Sequence, residues 1–420
     1  MVETNWAGNI TFGAAKIAAP GNAEEVRDLV AAAGRGGLRP LGTRHSFSPI
    51  ADTAGVLVSS ARLADPGAVR VAEDRTSVSV PAGIRYGELA RILEADGLAL
   101  ANLASLPHIS VAGAVASGTH GSGVANGSLA TAVRAIEFVD GTGELVNRRR
   151  GDADFAGSVV ALGALGVVTR VELDVEPSFA VAQTVYRGLP FDAVLDAFDE
   201  VTGLGYSVSL FTTWPEPDTI DQLWLKRRVD RDDPAPAEVL GAAPSAVPMH
   251  PIAGVDPSFC TPQQGEPGPW LDRLPHFKLE FTPSNGAELQ SEYLVPRRTA
   301  LEALRAVRGL SAALAPLVQV TEVREIAADE LWLSGASGTD AVGIHFTWVP
   351  DQPAVDALLP RIERLLLPLG ARPHWGKRFH ADADALAPLY PRFDDFRALA
   401  ARHDPRGVFR NAFLDAKLGA

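Results

Sequence analysis

Three polar clusters in the C-terminal half carry side chains that could act together on a hydroxylated substrate. Glu322 and Arg324 are two residues apart, so on a strand they share one face, roughly 6.5–7 Å apart. His345 and Thr347 repeat this spacing, and Lys377 follows a Trp-Gly pair. A carboxylate can bind hydroxyl groups, and fixed cations can stabilise negative charge that develops on an oxygen. An imidazole can accept a proton near neutral pH.

Each of these clusters also has a simpler interpretation. A Glu-x-Arg pair on a strand is about as often a surface ion pair, which contributes little stability. A single histidine on a strand is more often structural, and a lysine after a glycine is more often an exposed loop residue. The clusters predict a site only if the fold brings them together.

Two segments with small side chains could bind a second ligand. They are Pro40-Leu-Gly-Thr-Arg-His-Ser-Phe47 and Ser105-Leu-Pro-His-Ile-Ser-Val-Ala-Gly-Ala-Val-Ala-Ser-Gly-Thr-His-Gly-Ser-Gly123. Such segments let the backbone approach a ligand closely and present its N–H groups to an anion such as a pyrophosphate. Either segment alone is equally typical of an ordinary Gly/Ser turn.

The elements that must position these residues follow from the hydrophobic spacing. At 420 residues the chain exceeds one ordinary core, so two domains are expected. In the first half the pattern predicts helices over 23–33 and 85–95, and strands over 38–41, 55–58, 76–80, 133–139, 144–147 and 166–175. In the second half it predicts helices over 191–201, 297–314 and 354–367, and strands over 207–212, 221–226, 276–281, 318–326 and 341–348.

This order of elements predicts an α+β fold, in which helices cover one face of the second sheet. We expect a domain over residues 1–175, a second over 176–371, and a C-terminal segment, 372–420, that returns to the first. Residues 230–268 are rich in Pro, Gly and Asp and are expected to form a surface excursion.

Composition excludes several classes of protein. The net charge of −13 disfavours nucleic acid and anionic membranes as partners, since both require clustered Lys and Arg. With one cysteine, Cys260, the chain can form neither an intrachain disulfide nor a cysteine-rich zinc site. The sequence has no Gly-x-Gly-x-x-Gly, P-loop, His-Glu-x-x-His or Gly-x-Ser-x-Gly motif. No apolar run approaches the length of a membrane span, and a cytoplasmic monomer is expected.

One group of metal-ligand residue types lies near the C-terminus. His374, His380, Asp382 and Asp384 have suitable side chains, but their spacing fits no standard metal site. We therefore expect no metal, and a zinc hydrolase built on this cluster remains a distant alternative.

Taken together, these motifs resemble the vanillyl-alcohol oxidase/para-cresol methylhydroxylase superfamily of FAD enzymes, in its branch of sugar-alcohol and aldonolactone oxidases. Pro40–Ser46 is similar to the first FAD loop of that superfamily, and Ser110-Val-Ala-Gly-Ala-Val-Ala-Ser-Gly-Thr-His-Gly121 to the second. Glu322-Val-Arg324 and His374-Trp-Gly-Lys377 resemble substrate motifs of the branch, and Arg406-Gly-Val-Phe-Arg-Asn411 resembles its C-terminal signature. The similarity covers nearly the whole chain, and Ser105–Ile109 and the chain length favour the bacterial alditol oxidases.

The resemblance implies a two-domain fold, with an FAD-binding domain of two small α/β subdomains and a substrate domain with a mixed or antiparallel sheet. It implies covalent attachment of FAD through His45. The other residues that it places around FAD are Pro40, Leu41, Gly42, Thr43, Arg44, Ser46, Ser110, Gly113, Ser117, Gly118, Thr119, His120 and Val168. The residues that it places around the polyol are Ser105, Glu322, Arg324, Thr347 and Lys377.

The implied reaction is oxidation of the terminal primary hydroxyl of alditols such as xylitol and sorbitol, with O2 as acceptor and H2O2 as product. We expect Arg324, Lys377 and Glu322 to be catalytic, and His345 to be a candidate proton acceptor. The nearest alternative is an aldono-1,4-lactone oxidase or dehydrogenase of the same branch. A flavin-carrying or sugar-binding protein without redox turnover is a further alternative.

Overall fold

The computed structural model describes residues 3–214, 218–281 and 287–419. Within these residues the strands form four sheets. The small parallel sheet has the strand order Lys16–Ala18, Val56–Ser59 and Leu38–Leu41. The antiparallel sheet beside it has the order Arg70–Val71, Ser77–Pro81, Gly166–Asp174, Val133–Asp140 and Leu145–Arg149. Leu98–Ala99 and Glu176–Pro177 form a short antiparallel pair.

The largest sheet is antiparallel and builds the second half of the molecule. Its strands, in spatial order, are Gly268–Pro269, Ala180–Pro190, Thr219–Arg228, Ser207–Thr212, Val318–Ile326, Ala341–Trp348, Leu289–Pro296 and Arg372–Pro373. Alternation along these strands separates two faces. Ile344, Phe346 and Trp348 pack into the hydrophobic core beneath the helices, whereas His345 and Thr347 line a cavity on the opposite face.

The α-helices surround these sheets. They are Ala23–Ala32, Tyr86–Ala95, Val111–Ala116, Phe155–Val159, Phe191–Asp196, Phe198–Thr202, Ala300–Arg308, Ser311–Leu314, Gln352–Leu366, Ala383–Leu386, Phe393–His403 and Ala412–Leu418. The first of them begins where the side chain of Asn22 accepts a hydrogen bond from the Glu25 amide at 2.9 Å, and it buries Val26 and Val30. No helix in these described ranges is long and apolar enough to cross a bilayer.

The structure confirms the α+β class and most predicted elements, but it corrects three of them. Residues 276–281 are not a strand, because the amides of His276 and Phe277 donate to Ser105 instead of to a sheet neighbour. The single helix predicted over 191–201 is interrupted at Ala197, and the one predicted over 297–314 near Leu310. The long strands Ala180–Pro190 and Leu289–Pro296 were not predicted.

Arg39 links three segments around the first small-residue loop. Its guanidinium is buried and donates to the carbonyl oxygens of Ile50, Leu162, Gly163 and Phe409 at 2.5 to 3.0 Å. The C-terminal residues thereby contact the N-terminal half. Asn411 adds hydrogen bonds to the carbonyls of Pro49, Ile50 and Asp52.

We expect Arg39→Met to lower the free energy of unfolding by about 2–3 kcal/mol, because it leaves buried carbonyls without donors. Urea denaturation followed by circular dichroism measures this loss. Arg70→Met is a suitable control, since Arg70 also donates to two carbonyls but lies at the surface, where such bonds contribute little. Equal stability losses in the two variants would contradict the role given to Arg39.

Candidate active site

A single cavity brings together the residues that the sequence analysis selected. It runs from the two small-residue segments to the face of the large sheet that carries His345 and Thr347. Of the predicted residues, all but Gly118 line it: Pro40, Leu41, Gly42, Thr43, Arg44, His45, Ser46, Ser105, Ser110, Gly113, Ser117, Thr119, His120, Val168, Glu322, Arg324, His345, Thr347 and Lys377. Gly118 lies just outside, with a positive φ of 69° that turns the chain after helix Val111–Ala116.

The two small-residue segments meet closely at one end of the cavity. A Cβ atom at Gly42 would lie 2.5 Å from Oγ of Ser110, and one at Gly113 would lie 2.9 Å from the same atom. Oγ of Ser110 is buried and has no hydrogen-bond partner in the described part of the chain. A buried hydroxyl without a partner is costly, which indicates that a ligand atom belongs beside it.

The first segment also presents free backbone donors. Within the described ranges, the amide N–H groups of residues 43 to 46 have no hydrogen-bond acceptor. Consecutive free N–H groups around a cavity form a binding site for an anionic group such as a diphosphate. The donor set and the glycine contacts therefore fit FAD.

His45 lies at the edge of this segment. Its Nδ1 is 3.1 Å from the Thr43 hydroxyl, which also accepts a hydrogen bond from the Ser110 amide at 3.1 Å. Its ring stacks on Trp6 with 5.6 Å between ring centroids. Burial, together with nearby His108, lowers the pKa of His45 to about 4, so its imidazole is neutral.

Glu292 is the centre of the charge cluster at the other end of the cavity. Its side chain is fully buried, and its Oε2 accepts a hydrogen bond from Nζ of Lys377 at 2.5 Å. Its Oε1 lies 2.8 Å from Nη2 of Arg324 and 3.2 Å from Nε2 of His120. Burial alone would raise the pKa of Glu292, but Lys377, His120 and Arg324 together lower it to well below its ordinary value.

Glu322 supplies the second buried carboxylate. Its Oε1 accepts a hydrogen bond from Nε2 of His276 at 2.8 Å, and its Oε2 lies 3.5 Å from Nε of Arg324. Burial would raise the pKa of Glu322, but Arg324 and His276 outweigh it and lower the pKa well below the usual range. The site thus contains two ionised carboxylates close to one guanidinium and one ammonium.

The remaining predicted residues complete the wall of the cavity. His345 is directly opposite Glu322 in the strand register, and its Nδ1 lies 3.7 Å from Oε2 of Glu322. Burial, and then the charge of Lys377, lowers the pKa of His345 to about 4. Its Nε2 is buried and has no hydrogen-bond partner in the described ranges. Oγ of Ser105 lies 3.5 Å from Nη1 of Arg324.

His120 and the C-terminal His/Asp cluster make contacts that the sequence analysis did not describe. His120, assigned to FAD by resemblance, also contacts Glu292. His374 is buried beside His120, 6.0 Å between ring centroids, whereas His380 is largely exposed and lies 4.0 Å from Asp356. Across residues 3–214, 218–281 and 287–419, no group of three or more His, Cys, Asp or Glu side chains is placed to hold a metal ion.

The sequence analysis missed Glu292 and His276. A signal for the strand that carries Glu292 was present, because the polar residues Gln290 and Glu292 alternate with Leu289 and Tyr293, which lie in the core. His276 carries no such signal, since its contacts depend on a loop geometry that periodicity does not describe.

Comparisons with known proteins agree with this geometry. Residues 14–148 match the model of the FAD binding domain family, and residues 285–417 match that of D-arabinono-1,4-lactone oxidase. The fold is similar to that of cholesterol oxidase from B. sterolicum, with a TM-score of 0.78 and 17% identity over 99% of this chain and 96% of that one. The fold and the cavity define a two-domain FAD-binding flavoprotein of the vanillyl-alcohol oxidase type.

Full-length relatives specify the family. The chain is 51% identical to the alditol oxidase of Streptomyces sp. (strain IKD472 / FERM P-14339), over 98% of this chain and 97% of the relative. It is 28% identical to the L-gulono-1,4-lactone dehydrogenase of Mycobacterium tuberculosis (strain ATCC 25618 / H37Rv), over 100% of this chain and 99% of the relative. The chain belongs to the alditol oxidase family, in the sugar-alcohol and aldonolactone oxidase branch.

Proposed function

We propose that this chain is an FAD-dependent oxidase of alditols. It oxidises the terminal primary hydroxyl of polyols such as xylitol and sorbitol to the aldose, with O2 as the electron acceptor and H2O2 as product. The observation that carries this proposal is the buried cluster of two carboxylates, a guanidinium and an ammonium in the cavity that also contains the FAD loops. Such a cluster matches a flexible substrate with several hydroxyl groups.

Five side chains bind and orient the polyol in this proposal. FAD, when bound, supplies the hydride acceptor. Glu322 accepts hydrogen bonds from substrate hydroxyls, and Ser105 and Thr347 bind other hydroxyl groups of the same polyol. Arg324 and Lys377 are held in place by Glu292 and donate to the hydroxyl oxygen that loses its proton. Donors that are already oriented stabilise the developing charge without reorganisation.

His345 is the proposed proton acceptor. Its imidazole is neutral above a pKa of about 4, and its Nε2 has no partner in the described residues. A neutral ring with a free nitrogen in the cavity can accept the proton of the hydroxyl group while hydride leaves the carbon that bears this hydroxyl.

The second candidate function is oxidation of an aldono-1,4-lactone, because residues 285–417 match the lactone oxidase model. Parallel assays of H2O2 release with xylitol, sorbitol and galactono-1,4-lactone separate the two functions. We expect the alditols to give the higher kcat/KM, because the lactone has no hydroxyl at C1 or C4 and would leave polar groups of the site without those partners. A clear preference for the lactone would favour the second candidate.

We also propose that His45 bonds covalently to the flavin, as the neutral imidazole at the edge of the first FAD loop is free to act as a nucleophile. The new C–N bond would replace one C–H bond of a flavin methyl group, and the two electrons and two protons released would pass to O2, the acceptor of the proposed reaction, as H2O2. After denaturation of the wild type in acid, we expect the yellow chromophore to precipitate with the polypeptide. In His45→Ala it should stay in the supernatant. His108→Ala is the control, because His108 lies nearby but does not line the FAD cavity. Chromophore that remains bound to denatured His45→Ala would exclude His45 as the attachment site.

A further inference from the structure

A series of buried hydrogen bonds extends from Glu322 away from the substrate cavity. Nε2 of His276 donates to Oε1 of Glu322 at 2.8 Å, and Nδ1 of His276 lies 3.0 Å from Nζ of Lys226. Lys226 is only 1% exposed. Burial lowers the pKa of Lys226 to about 7. These contacts therefore connect a buried lysine through an imidazole to a carboxylate in the proposed active site.

The Glu322 carboxylate fixes the direction of the hydrogen bonds in this series. Because Glu322 is ionised and can only accept, the single proton of the neutral His276 ring belongs on Nε2, which faces it. Nδ1 of His276 therefore accepts from Nζ of Lys226, which also lies 2.5 and 3.2 Å from the carbonyl oxygens of Leu274 and Pro275. Burial, and then the charge of Lys226, lowers the pKa of His276 to about 4, so the ring is neutral.

The segment that contains His276 and Phe277 also holds Ser105. The amides of His276 and Phe277 both donate to the carbonyl oxygen of Ser105 at 3.2 Å. The rings of Phe211 and Trp224 pack edge-on against the imidazole, with ring centroids 5.7 and 5.1 Å away. One segment thus positions two groups that the proposed function assigns to the substrate, the Glu322 carboxylate and the Ser105 hydroxyl.

Among the described residues, Lys226 has no carboxylate in direct contact. Cys260, which also faces Lys226 from the excursion, is buried and supplies no counter-charge, because burial raises the pKa of its thiol to about 12. Besides the carbonyl oxygens of Leu274 and Pro275, the partner of its Nζ is Nδ1 of His276. This contact gives Lys226 a role beyond anchoring the two carbonyls, because it leads to Glu322.

We propose that Lys226 and His276 are positioning residues for Glu322. They hold its Oε1 in a hydrogen bond with His276, so that its Oε2 is available to accept hydrogen bonds from the polyol. This inference rests on the proposed function, in which Glu322 binds substrate hydroxyls. Since that contact acts on the bound substrate, its loss should affect KM more than kcat.

Kinetics of four variants test the proposal. Lys226→Met and His276→Leu should raise KM for xylitol by about 10-fold or more, the effect of losing one hydrogen bond to a charged group, with kcat changed less. His276→Gln, which keeps an N–H donor for Glu322, should restore KM to within a few-fold of the wild type. Gln183→Met is the matched control, because Gln183 lies opposite Lys226 and anchors Thr261 and Pro262 of the same region without touching His276.

An unchanged KM in Lys226→Met, or an equal rise in Gln183→Met, would overturn the proposal. A second measurement is independent of turnover and of variant folding. Nitrogen-15 NMR of the wild type labelled at histidine should show a neutral ring for His276 with its proton on Nε2, and a proton on Nδ1 would overturn the proposal. If the wild type itself oxidises no polyol, the proposed function fails. The NMR result still decides whether the hydrogen bonds from Lys226 through His276 to Glu322 exist.

Discussion

In the Lys377→Met variant we expect kcat for xylitol to fall by about 10²–10³-fold while KM changes much less. The ammonium is held at 2.5 Å from Glu292 and lines the cavity, so it is oriented before the substrate arrives. A donor that interacts most strongly with the developing negative charge lowers the barrier more than it strengthens binding. Steady-state H2O2 release at saturating O2 measures both parameters.

Lys278→Met is the matched control for this prediction. Lys278 donates to the carbonyl oxygen of Ser258 at the surface, so its removal should leave kcat unchanged. Lys377→Arg keeps a cation and should recover part of the rate. A kcat in Lys377→Met equal to that of the wild type would remove Lys377 from the mechanism.

Glu292→Gln should lower the free energy of unfolding at pH 7 by about 3–5 kcal/mol, the usual cost of removing one partner from a buried ionic group. The substitution keeps the shape of the side chain but leaves the buried cations Arg324 and Lys377 facing a neutral amide. Urea denaturation of the two proteins measures the difference. The double variant Glu292→Gln/Lys377→Met should lose less stability than the sum of the single variants.

The pH dependence of this difference has a defined sign. The pKa of Glu292 is well below its value in the unfolded chain, which is about 4.3. Its charge therefore stabilises the fold fully above that value, and the stabilisation is lost as the pH falls toward the folded-state pKa. The stability gap between wild type and Glu292→Gln should shrink below about pH 4. A gap that stays constant from pH 7 to pH 3 would show that the carboxylate charge does not stabilise the fold.

The sequence predicted the parts of the fold that repeat with a simple period. Strands Val318–Ile326 and Ala341–Trp348 were predicted with their observed bounds. The second strand alternates between large apolar residues and small or polar ones, and the first is rich in the β-branched residues Val, Thr and Ile. The helix that begins after Asn22 was predicted to within one residue, since its N-cap and its apolar positions are local signals. Such patterns depend only on neighbouring residues.

The centre of the site could not be derived in this way. Glu292 and His276 acquire their roles from residues far away in the chain, Lys377 and Glu322, which only the folded sheet and loops bring near. The strand predicted over 276–281 was wrong for the same reason, because the backbone of His276 and Phe277 contacts Ser105 and the side chain of His276 contacts Lys226, both far away in the chain. The hydrophobic periodicity of a segment gives no information about its contacts with residues far away in the chain.

Anaerobic mixing of the purified flavoprotein with xylitol tests the central proposal most directly. We expect the yellow absorbance of the flavin to bleach within seconds, and to return when air is admitted, with one H2O2 released for each flavin reoxidised. Galactono-1,4-lactone at the same concentration should bleach it more slowly. Flavin that keeps its colour with xylitol and other alditols would contradict the assignment of this buried charge cluster to alditol oxidation.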